Sequence, residues 1–199
     1  MIRFLFKFII CLLLAAGAGI GLLAFRSGDP IYTIYEWLSP ARFQQYDQII
    51  HAVATTNQLD PMLVKAVVWR ESRFDPKKLG AASERGLMQV SEIAAREWAK
   101  EKRVENFRPE ELFDPKTNLE AGAWYLHRAM VHWQKARDPV PFALAEYNAG
   151  ASRAQRWAGG DGTPISAVAF QGNIDFPGTK KYVGSILERY RFYQRRGRM

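Results

Sequence analysis

A chain of 199 residues with 48% hydrophobic and 13% aromatic content is long enough for one globular domain with a sizeable core plus appendages. Its formal net charge of +8 asks for an acidic partner. The single cysteine, Cys11, lies in an apolar N-terminal run, which excludes an intramolecular disulfide and any thiol chemistry in the domain.

Arg3 and Lys7 precede an uncharged run from Phe8 to Phe25, followed by Arg26 and Ser27. Such a run is long enough to span a bilayer, so residues 1–27 read as a signal anchor or a signal peptide. Ala16-Gly17-Ala18 offers a cleavage site, but Leu22, Leu23 and Phe25 continue the apolar run beyond it and favour the uncleaved anchor. Cys11 follows Ile9-Ile10 rather than a small residue, which argues against a lipoprotein. Positive charges ahead of the run place the N-terminus in the cytoplasm and the domain outside. An exported basic chain meets acidic lipid headgroups and envelope polymers, not nucleic acid. Arg189, Arg191, Arg195, Arg196 and Arg198 belong either to that basic surface or to a solvated helix end, with residues 196–199 as a basic tail.

Residues 28–40 read as a linker in which Ile31–Leu38 forms a turn of helix, and residues 41–195 as the domain. Phe43, Tyr46, Ile49, Ile50, Val53 and Ala54 recur at three- and four-residue spacings and predict an amphipathic helix over 41–57. Asp60-Pro61 is a strong helix start, with Asp as cap and Pro at the first position, where its missing N–H costs nothing. Met62, Leu63, Val64, Ala66, Val67, Val68 and Trp69 then cover nearly every face, the pattern of a buried helix. It is expected to end near Ser72, because Asp75-Pro76 disfavours continuation.

That ending places Glu71 in the last turn, where the carbonyl end of the helix dipole and partial desolvation both favour the protonated acid. A carboxyl held neutral near operating pH suits a general acid. The alternative at this point is a solvated Glu paired with Arg70 or Arg73.

Gly80, Ala81, Ala82 and Gly86 make the next stretch loop-like and permit close backbone approach, as in a cleft floor. Ser91 caps a helix through Trp98, and Pro109–Phe113 is a short turn of helix. Asp114-Pro115 opens a longer helix with Leu119, Gly122, Ala123, Leu126, Met130 and Trp133 on one stripe. A helix over Phe142–Asn148 is expected to stop at Gly150. Residues 159–177 read as a long irregular loop. Thr179 is the expected cap of the last helix, whose apolar face is Val183, Ile186, Leu187 and Tyr190. With no period-two strand, the fold class is mainly α. His51, His127 and His132 lack metal-ligand spacing, so no metal or other cofactor is implied.

In order and spacing, Glu71-Ser72, Gly86-Leu87-Met88-Gln89, Ala145-Glu146-Tyr147-Asn148-Ala149-Gly150 and Phe176-Pro177 with Tyr182-Val183 resemble the motifs of the family 1 lytic transglycosylases, the soluble-lytic-transglycosylase-like domain of the lysozyme superfamily. The match spans about Gln48 to Tyr190. The resemblance implies a lysozyme-like helical domain, which the apolar N-terminal run would set behind a transmembrane helix in a bacterial inner membrane with the domain in the periplasm, or release to the periplasm if that segment is cleaved. It implies non-hydrolytic cleavage of the bond between N-acetylmuramic acid and N-acetylglucosamine in peptidoglycan, leaving a 1,6-anhydro sugar. Glu71 would be the only catalytic carboxylate, acting as acid and then as base. Ser72 and Gln89 would hydrogen-bond sugar groups, Met88 would pack on a sugar face, Tyr147 would orient Glu71, Asn148 would hold the loop or the substrate, and Tyr182 would line the cleft. Gly178 stands where family members often carry an acidic residue, so no contact is assigned there. Glu84 and Glu146 beside the motifs keep open a goose-type-lysozyme-like hydrolase with a second carboxylate. A non-catalytic glycan-binding protein is the remaining alternative.

Overall fold

The computed structural model describes residues 2–25, 29–159 and 165–197 and divides into two compact units, Met1–Phe43 and Gln44–Met199. The expected boundary between anchor and linker at 26–28, residues 160–164 of the expected loop, and the end of the basic tail at 198–199 lie outside the described residues.

In the first unit, α1 (Ile2–Phe25) contains the stretch Phe4–Leu22, with a mean hydropathy of 2.3, long and apolar enough to cross a membrane. Its large apolar side chains from Phe4 to Leu14 are exposed, as lipid-facing side chains would be. The expected linker is itself largely helical. In α2 (Pro30–Leu38), Asp29 accepts a hydrogen bond from the Tyr32 N–H at 3.2 Å and Pro30 takes the first position.

The helix expected over 41–57 is two helices, α3 (Pro40–Gln44) and α4 (Asp47–Thr56). Apolar spacing runs through the break, but Asp47 places a carboxylate in a fresh first turn, where the helix dipole favours it. The second unit is built around α5 (Pro61–Ser72). Asp60 accepts from the Met62 N–H at 2.8 Å, and every residue from Leu63 to Trp69 is buried. Full burial of each Leu or Val contributes about 1.5–3 kcal/mol. Buried Lys65 is neutralised by Asp47, 2.7 Å away on α4.

Arg73 closes α5 in the left-handed region at φ 55°, and Phe74 follows at φ 62°, so the chain reverses immediately after the Glu71-Ser72 pair. The 79–90 segment that follows has only isolated bridges, Leu79 to Arg85 and Arg85 to Val90. Buried Asn118 holds it from α7 (Pro115–His132). Its side chain accepts from the Met88 N–H at 2.7 Å and donates to the Arg85 carbonyl at 2.7 Å and the Leu112 carbonyl at 2.9 Å. Gly86 sits at φ 75° against the Asn118 amide and the Leu112 carbonyl, and a Cβ there would collide with both.

Before α7 come α6 (Glu92–Glu101), capped by Ser91 as expected, and a 3₁₀ turn at Pro109–Phe113. After it come α8 (Val140–Ala149), α9 (Ala151–Trp157), α10 (Ala167–Asn173) and α11 (Pro177–Arg196). Gly150, at φ 88°, ends α8 as expected, but the chain re-enters helix at once as α9. The expected irregular loop contains α10, because Ser166 caps Ala169 and Phe170 is buried against Phe142 with ring centroids 4.0 Å apart. α11 starts at Pro177, ahead of Thr179, with no side-chain cap; the Thr179 hydroxyl donates instead to Asn148 Oδ1 at 2.8 Å. α5 packs against α4 and α11, and α11 also packs on α8.

Candidate active site

Glu71 projects from the final turn of α5 into a cleft of about 620 Å³. Burial raises its carboxyl from 4.5 to about 7. The Tyr182 hydroxyl, which donates to Glu71 Oε1 at 2.7 Å, opposes that rise, as do Arg70 and Lys78, while the negative charge of Glu84 adds to it. The group therefore exchanges its proton near neutrality and holds one oxygen in a fixed direction, an arrangement that can act as a general acid or a general base. The Lys78 ammonium donates to the Glu71 main-chain carbonyl and so caps the end of α5.

Of the residues expected at the site, Gln89, Tyr147 and Asn148 line the cleft with Glu71. The Gln89 amide braces the 79–90 segment by donating to the Lys78 and Gly86 carbonyls, both at 3.0 Å. Asn148 is exposed at its edge, and its bond to Thr179 joins the end of α8 to the start of α11.

The two tyrosines exchange expected parts. Tyr147 does not hydrogen-bond Glu71; its hydroxyl donates to the Met88 carbonyl at 2.9 Å, and its ring meets Tyr125 edge to face at 5.6 Å. Tyr182, expected only to line the cleft, is the residue that orients Glu71, with the Arg70 guanidinium 5.5 Å from its ring centroid. Burial, and then the neighbouring Glu71 charge, hold both phenols well above their ordinary range, so each acts as a neutral hydroxyl.

Met88 and Ser72 are not at the cleft surface. Met88 is fully buried, its side chain seated on Gly122, where a Cβ would come within 2.6 Å of its sulfur. Ser72 is buried with its hydroxyl on the Val68 carbonyl at 3.2 Å. Glu146 is also turned aside: its Oε2 accepts from Trp133 Nε1 and contacts His132 Nδ1, each at 2.7 Å. Sequence reasoning missed Lys78 and Tyr125 as cleft residues, since neither lies inside a motif. A Lys close after a buried helix end was the available signal for the first.

The transglycosylase SLT domain family matches residues 48–168. The chain is 30% identical over 150 residues to the soluble lytic murein transglycosylase of Salmonella typhimurium, covering 75% of this chain and 23% of that protein. It is 30% identical over 112 residues to membrane-bound lytic murein transglycosylase F of Desulfosudis oleivorans, covering 55% of this chain and 23% of that protein. Among solved structures, it superposes on the 70 kDa soluble lytic transglycosylase of Escherichia coli with a TM-score of 0.69 and 28% identity, covering 76% of this chain and 24% of that one. The chain thus spans about a quarter of the length of these two curated relatives.

Proposed function

Because the chain belongs to the transglycosylase SLT domain family, we propose that it is a membrane-anchored lytic transglycosylase that cuts peptidoglycan between N-acetylmuramic acid and N-acetylglucosamine without water. The observation that carries this reading is Glu71: a carboxyl raised to about 7, at the wall of an open cleft, with one oxygen held by Tyr182.

In the first step Glu71 gives its proton to the bridging oxygen as the glycosidic bond breaks. Its carboxylate then accepts the proton of the muramic 6-hydroxyl while that oxygen closes on C1, giving the anhydro sugar and regenerating the acid. Tyr182 donates to the carboxylate formed between the two steps, which keeps the intermediate charge from being stranded in a desolvated site. Gln89, Tyr147 and Asn148, which line the cleft, would contact the glycan, whereas Ser72 and Met88 would serve it from behind, by closing α5 and by seating the 86–89 turn. The apolar helix α1 would hold the chain in the inner membrane with the cleft on the periplasmic side, where a basic domain meets an anionic polymer.

Mass spectrometry of the products from purified sacculi tests the reading. The full chain is expected to release anhydromuropeptides, and Glu71→Gln to release about a hundredfold less or lower still. Undiminished cleavage by Glu71→Gln would remove the catalytic assignment.

A further inference from the structure

Glu84 is a second carboxylate in the cleft that the cycle above does not use. It is half-buried on the turn between the two bridged positions Leu79 and Arg85, and it lines the same space as Glu71. Its position is built. The Ala82 N–H donates to Glu84 Oε2 at 3.0 Å, and that oxygen lies where a Cβ on residue 80 would collide with it, so Gly80 is what makes room for the carboxylate. Among the described residues Glu84 has no ion-pair partner, and its Oε1 accepts no hydrogen bond. The nearby cation Lys78 is engaged with the Glu71 carbonyl. The arrangement thus leaves one anchored oxygen and one open acceptor on a residue lining the same cleft as a carboxyl that retains its proton to near neutrality.

We propose that Glu84 holds and deprotonates a water molecule in the cleft, so that a share of the turnovers ends in hydrolysis and leaves reducing muramic ends beside the anhydro product. The inference rests on the transglycosylase reading of Glu71. Two carboxyl groups flanking one glycosidic bond, one protonated and one ionised, are the general requirement for attack by water. The C1–O4 bond breaks as O4 takes the proton of Glu71; the water oxygen bonds to C1 and its proton passes to Glu84. Solvent exchange then returns Glu84 to the carboxylate and Glu71 to the acid. The muramic 6-hydroxyl competes for C1 with the advantage of being already attached, which makes water the minor route. Glu146 cannot take this part, since it is not among the residues that line the cleft and its Oε2 is turned to Trp133 and His132.

The test is the ratio of products, not the total rate, because removing the charge at residue 84 also acts on the proton affinity of Glu71. Sacculi are digested with the full chain, the new ends are reduced with borohydride, and reduced muramic ends are counted against anhydro ends by mass spectrometry. Wild type is expected to give both, and Glu84→Gln to lower the reducing-to-anhydro ratio about tenfold or more. Glu84→Asp, which keeps the charge one methylene shorter, is expected to fall between them. Anhydro ends alone from wild type, or one ratio for all three proteins, would overturn the role of Glu84 and leave the transglycosylase reading standing. No new ends of either kind would remove both.

Discussion

Replacing Glu71 by Gln is expected to stabilise the second unit above neutral pH and to leave it nearly unchanged in acid. The folded state binds the Glu71 proton more tightly than the unfolded chain does, since burial raises the carboxyl from 4.5 to about 7. A group raised in this way contributes stability that is fully present below 4.5 and is lost as pH rises through about 7. At about 1.4 kcal/mol per pH unit, and allowing for the part of the carboxylate that water still reaches, wild type gives up about 2–3 kcal/mol over that window. Gln has no proton to lose, and its amide oxygen still accepts the Tyr182 hydroxyl. Guanidinium titrations of the full chain in detergent, followed by tryptophan emission at pH 4.5 and 8.5, measure the difference directly. Glu71→Gln is expected to match wild type within about 1 kcal/mol at the lower pH and to exceed it by about 2–3 kcal/mol at the higher one. A difference that stays the same at both values would refute the claim that the fold holds Glu71 protonated.

Tyr182→Phe removes the only described hydrogen-bond donor to the Glu71 side chain. Because that bond favours the ionised form, its loss raises the Glu71 carboxyl further. The descending limb of the pH–rate profile is expected to move to higher pH, with the rate falling about tenfold or more as the carboxylate loses its orientation. A profile unmoved in pH would assign Tyr182 to packing alone. Gly122→Ala puts a Cβ within 2.6–2.7 Å of the Met88 side chain. This overpacking is expected to cost about 1–3 kcal/mol in thermal or chemical unfolding. Combined with Met88→Ala, the loss is expected to be less than additive, because the shorter side chain vacates the contested space.

Much of this architecture is legible in the sequence because short-range chemistry dictates it. Asp60-Pro61, Ser91 and Asp114-Pro115 each start a helix where cap chemistry says they must. The apolar run after Asp60 has no polar face to turn outward, so its burial follows from composition, whereas the helix alone leaves Glu71 open to a solvated pairing with Arg70 or Arg73 that only the packed cleft decides against. What sequence reasoning misplaced depends on partners far along the chain. Whether Met88 faces solvent or core is decided by Gly122, which removes the side chain that would otherwise occupy its seat. Thr179 has the chemistry of a cap, yet its hydroxyl reaches Asn148 because Pro177 has already started α11. Neither tyrosine motif carries information about rotamer or distance, and only the packing of α11 along α5 brings Tyr182 rather than Tyr147 to the acid.

That last contact joins stability to chemistry. α11 packs on α5 and buries Val183, Ile186 and Leu187, and the same helix delivers the hydroxyl that aims Glu71. The apolar packing that desolvates the carboxyl cannot be relaxed without lowering its proton affinity, and the hydroxyl that orients it cannot be removed without raising it. Burial alone would hold the proton too firmly for release near neutrality, and full solvation would leave the group ionised there. Set against each other, these two influences hold Glu71 at about 7, the poise that the proposed acid-then-base cycle requires of one residue.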